Sequence, residues 1–432
     1  MPELGKLIDS SRWTPTHTAI VASLSLGYFM WGVISSISYL VYPTYHNVFF
    51  IILPPAASLA GNLVMAKLSD LNLGRKRTFF LTMGMYGGGS LLVVLATLFL
   101  RANIFAVAAG LLLAQFGVDG EVPVALSMSA ETIPLKWRDQ VLVATPNFDN
   151  VGATVAAALS LAVYSLSNSY YIVAVALGAF AAATMGVALF VRYRLPESVR
   201  WLEAKGDESR AREEVKKLAS SNGGKIEEKT PSKYSSIRDR FIFLALIGLS
   251  QYLTYGLMAF VVADFYFTGV TLDVIVLVAN LGASVAGFAA LKLISKLSSR
   301  KFTLASFLGG TLTMVPIILA LNYISDIYLF YLLLFLNMAF SELGWASRTI
   351  QEPTLMPTNV RAFMIGLVRT VPITAYALSE YLTSSWPLLW FVVFNLFLWA
   401  LGTGASAWWY KVGYDVNMVP LELASQQAEE RT

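Results

Sequence analysis

GVDGEVPVALSMSAETIPLKWRD, residues 117–139, carries two carboxylates, Asp119 and Glu121, inside an apolar run that begins near Ile104. A third acid, Glu131, stands before Pro134 and a basic pair, Lys136 and Arg138. Nothing nearby in sequence neutralises the first two. An apolar run of this length, closed by proline and two cations, reads as a membrane span arriving at its cytoplasmic edge.

The rest of the chain supports that reading. Of its 432 residues 56% are hydrophobic and 13% charged, with a mean hydropathy of +0.62. A soluble domain carries about 25% charged residues, and apolar runs long enough to cross a bilayer recur throughout, so a polytopic membrane protein is expected. The net charge of +4 gives no reason to expect nucleic acid, because the cations sit in short loops between spans. Zero cysteines exclude disulfides, thiolate metal sites and cysteine nucleophiles. With only His17 and His46, both read as interfacial residues, neither a metal nor another cofactor is expected. The polar stretch Met1–Thr16, followed by an apolar run too long for a signal-peptide core, points to no cleavable signal peptide.

Requiring about 20 apolar residues per crossing gives twelve spans, at 17–41, 47–67, 78–100, 103–128, 141–165, 170–192, 240–263, 270–292, 302–322, 326–349, 361–383 and 387–410. Between the sixth and seventh lies a charged stretch, 193–239. Its first part, PESVRWLEAKGDESRAREEVKKLASS, suits amphipathic helices on a membrane surface, and SNGGKIEEKTPSKYSS suits a flexible linker. The expected organisation is a six-span unit over 1–195, amphipathic helices and linker over 196–239, a second six-span unit over 240–411 and a tail over 412–432. With both termini cytoplasmic, 29 of the 31 Lys and Arg fall on the cytoplasmic side, leaving Arg101 outside and Arg369 within a span.

Four motifs then fall into place. AKLSDLNLGRKR lies between spans two and three, GVDGEVPVALSMSAETIPLKWRD ends span four, PESVRWLEAKG follows span six and QEPTLMPTNVRAFMIGL follows span ten. Together they resemble the motifs of the major facilitator superfamily, in its sugar-porter-like branch. The resemblance implies an all-α membrane protein with twelve transmembrane helices in two pseudo-symmetric six-helix bundles, rocking around a central site. It also implies a cytoplasmic charge network of Asp70, Arg75, Glu131, Arg138, Glu197, Arg200, Glu352 and Arg361. The second-half copy of the loop motif, LKLISKLSSRKF, has Lys296 where the acid belongs, so a symmetric latch is not implied.

The halves overlay at the ends of spans four and ten. Pro134 and Arg138 fall on Pro357 and Arg361, and the same offset of 223 places Asp119 on Glu342. An acid at mid-span costs roughly 2.5–3.5 kcal/mol on insertion scales. Two readings follow: a proton carrier facing the cavity, or a buried acid hydrogen-bonded to its neighbours. The sugar-porter acid of span one is replaced by Phe29 in GYFMWG, and its span-four arginine falls near Leu111 or Gly110. Proton coupling is therefore expected at Asp119, with Glu342 second and Glu121 and Asp149 as further candidates. Glu121 is turned about 200° from Asp119 on the helix.

Span one offers Tyr28, Trp31, Ser35 and Tyr39 at helical spacing, and span seven offers Gln251 and Tyr255. With Gln115 and Trp345 these rings and amides suit stacking and hydrogen bonding to a sugar, or else simple packing between helices. Arg348 and Arg369 suit a carboxylate substrate, or neutralise Glu342 and Glu380. The expected function is secondary transport of a small polar solute, a sugar or related metabolite, by proton symport across the cell membrane. Such a unit works as a monomer with solute, protons and the lipid bilayer as its partners. It is not an enzyme, since no nucleophile–base or metal spacing is present. The alternatives are an organic-anion or a cation and drug transporter of the same fold, or a non-transporting sensor.

Overall fold

The computed structural model describes residues 3–45, 49–219, 228–231, 233–321 and 326–426, and among these every regular element is helical. His46 and the linker positions 220–227 and 232 lie outside the described residues. The membrane helices are α1 (Pro15–Tyr45), α2 (Phe49–Leu68), α3 (Gly74–Phe99), α4 (Ile104–Thr132), α5 (Phe148–Ser167) and α6 (Tyr170–Arg192). The second set is α7 (Ile237–Tyr266), α8 (Val270–Ile294), α9 (Ser299–Ala320), α10 (Ile327–Thr354), α11 (Arg361–Thr383) and α12 (Leu388–Val412).

By length and hydropathy alone α2 and α3 merge into one 48-residue helix, Ile52–Phe99. At 1.5 Å per residue that would be roughly 72 Å long, more than twice a bilayer core of about 30 Å. The chain instead turns through a wide helical turn at Ser69–Leu73 and Gly74, whose φ of 74° favours glycine. Eleven apolar segments thus become twelve crossings. The fifth begins as Leu135–Ala144, breaks at Pro146, which lacks the N–H a helix interior needs, and resumes as α5. In α7 the helix widens at Leu257–Val261, a local loosening frequent at functional sites.

In the first bundle α1 packs on α5 and α6, and α4 packs between α2 and α3. In the second, α7 packs on α11 and α12, and α10 on α8 and α9. The bundles meet where α2 crosses α11 and α5 crosses α8. Exchanging each helix for its counterpart six places away turns one pair into the other, α2 becoming α8 and α11 becoming α5, the signature of a pseudo-two-fold axis.

One close approach positions the site. A Cβ on Gly32 of α1 would lie 1.7 Å from the carbonyl oxygen of Asp149 on α5, and one on Gly152 would lie 2.0 Å from the carbonyl oxygen of Phe29. The two backbones touch only because both positions are glycine. Gly32→Val is expected to push α5 away, carrying Asp149 with it. A drop in thermal stability of the purified protein, larger than for Gly84→Val where the Cβ meets nothing within 4 Å, checks this.

Two expectations for the flanks change. The start of the chain, read as polar tail, folds into a helix, Glu3–Asp9, packed on the helices Val199–Ala204 and Glu208–Leu218 that link the two bundles. His17, expected at the interface, is wholly buried, with its Nδ1 accepting from the Thr14 backbone N–H at 3.0 Å.

Candidate functional site

A cavity of about 80 Å³ lies between the bundles. On this measure one water needs about 10–15 Å³, so it holds roughly five to eight waters. α1 contributes Trp31, Ser35 and Tyr39, α5 contributes Asp149 and Asn150, and α7 contributes Gln251, Tyr252, Tyr255 and Phe260. α10 contributes Glu342 and Trp345, and α11 Tyr376. Helical spacing explains the α1 set, since positions four apart share a face. Trp31 and Trp345, from opposite halves, approach to 5.8 Å between ring centroids on the side of the cavity nearer the end of α10. On the other side, nearer the ends of α1 and α11, the Tyr39 and Tyr376 hydroxyls meet at 2.8 Å. Contacts between the halves thus border the site on both sides.

The four acids separate by environment. Asp149 and Glu342 line the cavity from opposite halves, with Asn150 between them. The Asn150 backbone N–H donates to Asp149 Oδ1 at 2.6 Å, and its side-chain Nδ2 donates to Glu342 Oε2 at 2.6 Å. Glu342 Oε1 is buried without a hydrogen-bond partner among the described residues. Among the described residues no lysine or arginine lines the cavity.

Asp119 stands one layer behind it. Its Oδ1 accepts from Trp31 Nε1 at 3.0 Å, and its Oδ2 from Ser58 Oγ at 2.6 Å and from Gln115 Nε2. Trp31, Ser58 and Gln115 themselves face the cavity, so Asp119 orients part of the wall. Glu121 is further removed. Arg192, 71 residues along the chain, grips both its oxygens, with Nη1 to Oε2 at 2.7 Å, and Thr82 adds a bond of 2.8 Å. Neutralisation absent from the local sequence arrives from the end of α6.

Of the residues expected to bind solute, Trp31, Gln115, Gln251, Tyr255 and Trp345 line the cavity, whereas Tyr28, Arg348 and Arg369 do not. Tyr28 packs edge-on against Trp31 with centroids 6.3 Å apart. Arg348 is held by Glu352 at 2.9 Å and Gln251 at 2.7 Å. Arg369 donates to Asn62 Oδ1 at 3.0 Å. Both guanidinium groups rest near Trp345, at 4.9 and 5.4 Å from its ring centre, where cation–π attraction applies. A carboxylate solute would therefore meet rings rather than cations. Sequence reading missed Asn150, Tyr252, Phe260 and Tyr376. Tyr252 had a signal, standing three before Tyr255 on the same helical face.

The face that carries the chain's two ends is held by a buried ion network centred on Glu131. Arg75 reaches Asp70 at 2.5 Å and Glu131 at 2.8 Å, Ser198 adds a bond to Glu131 at 2.5 Å, and Arg361 crosses from the second half to Glu131 at 2.9 Å. Asp70 crosses the other way, accepting from the Phe363 backbone N–H at 2.7 Å in the first turn of α11. Glu197 accepts from the Arg75 and Lys76 backbone N–H groups at 2.8 and 3.2 Å, completing the start of α3. The second half does not repeat this. Lys296 is exposed and Glu352 pairs with Arg348 rather than Arg361, so the latch is asymmetric. Arg138, expected in the network, instead donates to the Val419 carbonyl at 2.6 Å.

That carbonyl belongs to a strap that sequence reading treated as a plain tail. Residues 413–426 run back from α12 beneath both halves. Asn417 bonds Asp139 at 3.1 Å, and Glu422 bonds Arg200 at 2.8 Å. Arg240 holds the Ser425 carbonyl at 3.0 Å. Arg200 also takes the Glu131 carbonyl at 2.8 Å and Asp9 of the N-terminal helix at 2.7 Å. Burial would raise the Glu422 carboxyl, but the Arg200 guanidinium outweighs it and brings the group down to about 2. A lowered carboxyl stabilises above its unfolded value of about 4.3 and loses that contribution only as pH falls through about 2. Glu422→Gln is thus expected to lower the melting temperature at pH 6 and to converge on the parent near pH 2. Thermal unfolding at the two pH values measures it.

The chain is similar in fold to solved transporters. The proton:xylose symporter XylE with bound 6-bromo-6-deoxy-D-glucose superposes with a TM-score of 0.73 at 13% identity, covering 94% of this chain and 98% of that one. The partially occluded inward-open form of the xylose transporter XylE from E. coli gives 0.68 at 14% identity, covering 93% and 99%. Its inward-open form gives 0.65 at 13%, covering 95% and 98%. No curated protein matches significantly in sequence. The family model of the Major Facilitator Superfamily matches residues 19–379. With that match across most of its length, and twelve membrane helices around a cavity between two bundles, the chain belongs to the major facilitator superfamily, as a multi-pass transporter of sugar-porter-like fold.

Proposed function

We propose that this protein is a proton-coupled secondary transporter of a small uncharged polar solute of the sugar type, with Asp149 and Glu342 as its central proton site. One observation carries the reading. Two acids from opposite halves share one cavity, joined through Asn150, with no lysine or arginine among its described lining residues, and Arg369 acts on Asp149 only from behind the Trp31 and Trp345 rings. Two ionised carboxylates in such a space repel and lose their water, a cost a bound proton removes. Rocking the halves apart separates the acids and readmits water, so proton affinity and conformation change together. Asp119 acts as a positioning residue, holding Trp31, Ser58 and Gln115 in the cavity wall.

The solute class follows from the lining. Rings stack on a sugar face, and Gln115, Asn150 and Gln251 offer amides to its hydroxyls. The likeness to a xylose symporter supports the same class and the symport mode. A cationic amine is a second reading, favoured because the charged side chains among the described lining residues are acidic. An anion is not, since Arg348 and Arg369 are turned away. We place the protein in the cell membrane as a monomer, with both termini cytoplasmic, where its cations cluster.

Counterflow in proteoliposomes tests the class. Vesicles loaded in turn with D-xylose, D-glucose, choline or lactate receive the labelled counterpart outside. Exchange of a sugar, reduced at least tenfold by Trp345→Ala, is the expected outcome. Exchange of lactate would overturn the reading, and exchange of choline alone would replace it with the second.

A further inference from the structure

The two ends of the bundle interface are closed by different chemistry. On the cytoplasmic side the halves are joined by an ion pair, Arg361 to Glu131 at 2.9 Å. On the outer side the bonds between halves join hydroxyls to carboxyls. Tyr39 of α1 donates to Glu380 Oε1 of α11 at 2.9 Å, and Ser160 of α5 donates to Asp273 Oδ1 of α8 at 3.1 Å. Glu380 is fully buried, and its Oε2 has no partner among the described residues.

We propose that Glu380 is a second proton-binding residue, at the outer closure of the cavity, and that a proton on it lets the outer ends of the two halves meet. This rests on the proton-coupled reading above, but uses different residues. Glu380 lies one turn beyond Tyr376, which lines the cavity, and one turn short of the end of α11 at Thr383. A proton arriving from outside therefore meets it before the central pair.

Among the described residues, the groups facing Glu380 cannot neutralise it. From α1 comes Tyr39, at hydrogen-bond distance. On its own helix Tyr376 bonds Tyr39 at 2.8 Å, and Tyr252 of α7 stands edge-on to Tyr376 at 5.5 Å. At the outer end of α7 is Asp264, a like charge within electrostatic range of Glu380 and Asp273, with neither oxygen partnered among the described residues. The α2 stretch from Phe50 to Pro55 has no titratable side chain. Arg369 is eleven residues nearer the cytoplasm, about 16 Å along the helix, and is engaged with Asn62. An ionised carboxylate sealed among hydroxyls would lose its water without gaining a counter-charge. Protonation removes that charge, and opening restores the water. Closure of the outer side and uptake of one proton are therefore linked.

The absence of native cysteines makes a direct test clean. Leu166→Cys and Tyr328→Cys, exposed at 91% and 79% on the outer ends of α5 and α10, report the separation of the halves when spin-labelled. Distances are measured by pulsed EPR in nanodiscs between pH 8 and pH 4.5, in an Asp149→Asn/Glu342→Gln background that removes the central pair. The closed population is expected to grow on acidification, its ratio to the open form rising by up to about tenfold per pH unit for one linked proton. Glu380→Gln should abolish that response and leave the outer side closed at every pH. Tyr39→Phe should keep the response but move it to lower pH, a check that survives if the glutamine variant does not fold. Asp264→Asn and Asp273→Asn should both retain it. A pH response that persists in Glu380→Gln, vanishes when the central pair alone is neutralised, or is lost instead in Asp264→Asn or Asp273→Asn overturns the proposal. The central pair is judged separately by proton flux, so intact flux with a flat EPR response would sink only the Glu380 assignment.

Discussion

Glu131→Gln is expected to shift the protein strongly away from the conformation closed on the cytoplasmic side. The carboxylate is wholly buried and shared by Arg75 of the first half and Arg361 of the second. Removing one partner from a buried ion pair leaves the others uncompensated, at about 3–5 kcal/mol. At 1.4 kcal/mol per factor of ten, that is roughly two to three and a half powers of ten in the closed-to-open ratio. Much of the loss is specific to the closed form, because opening exposes Arg75 and Arg361 to water. Single-cysteine labelling at a buried cytoplasmic position such as Ser129→Cys reads the change as faster modification. Asp70→Asn should do less, since an amide oxygen still accepts from the Phe363 N–H. Equal labelling of parent and Glu131→Gln would mean that the ion network does not hold the gate.

The second large effect concerns the cavity acids. Asp149→Asn and Glu342→Gln keep shape and hydrogen-bonding capacity while removing the titrating group. Each is expected to reduce proton-driven solute accumulation to background while leaving counterflow within about threefold of the parent, because exchange at equal pH needs no net proton movement. Asp119→Asn differs. It replaces one acceptor oxygen with a donor facing Trp31, Ser58 or Gln115, all donors to the present carboxylate. A buried donor left without an acceptor costs about 1–3 kcal/mol. Its expected signature is weaker solute binding, with proton coupling retained.

Much of this architecture was legible before any coordinates. Spans six and eleven, read at 170–192 and 361–383, coincide with α6 and α11, because apolar length and flanking cations set both ends. The motif at 117–139 put Glu131 at the end of span four, and α4 ends at Thr132. The offset between halves also found Glu342, which faces the cavity. The same offset pointed to Asp119, yet helix rotation and the Trp31 ring place that side chain behind the wall. Depth in a span is readable from sequence, whereas direction around the helix is only weakly so. Arg192 was counted as a loop cation, and its partner Glu121 lies 71 residues away, a separation that no local pattern reveals. Residues 413–426 looked like a tail because the stretch is too short to cross a bilayer. Val416, Val419 and Leu421 are nonetheless buried beneath the two halves.

The central claim is that protons travel on the Asp149–Glu342 pair. Proteoliposomes holding a pH-sensitive dye, with D-xylose, D-glucose, choline and lactate added singly to a mildly acidic medium, test it most directly. One solute should acidify the lumen in the parent and in Asp119→Asn, and none should do so in Asp149→Asn or Glu342→Gln, although counterflow of that solute survives in both. Solute-driven acidification that continues in the Asp149→Asn/Glu342→Gln double variant, or that is lost only in Asp119→Asn, would contradict the account.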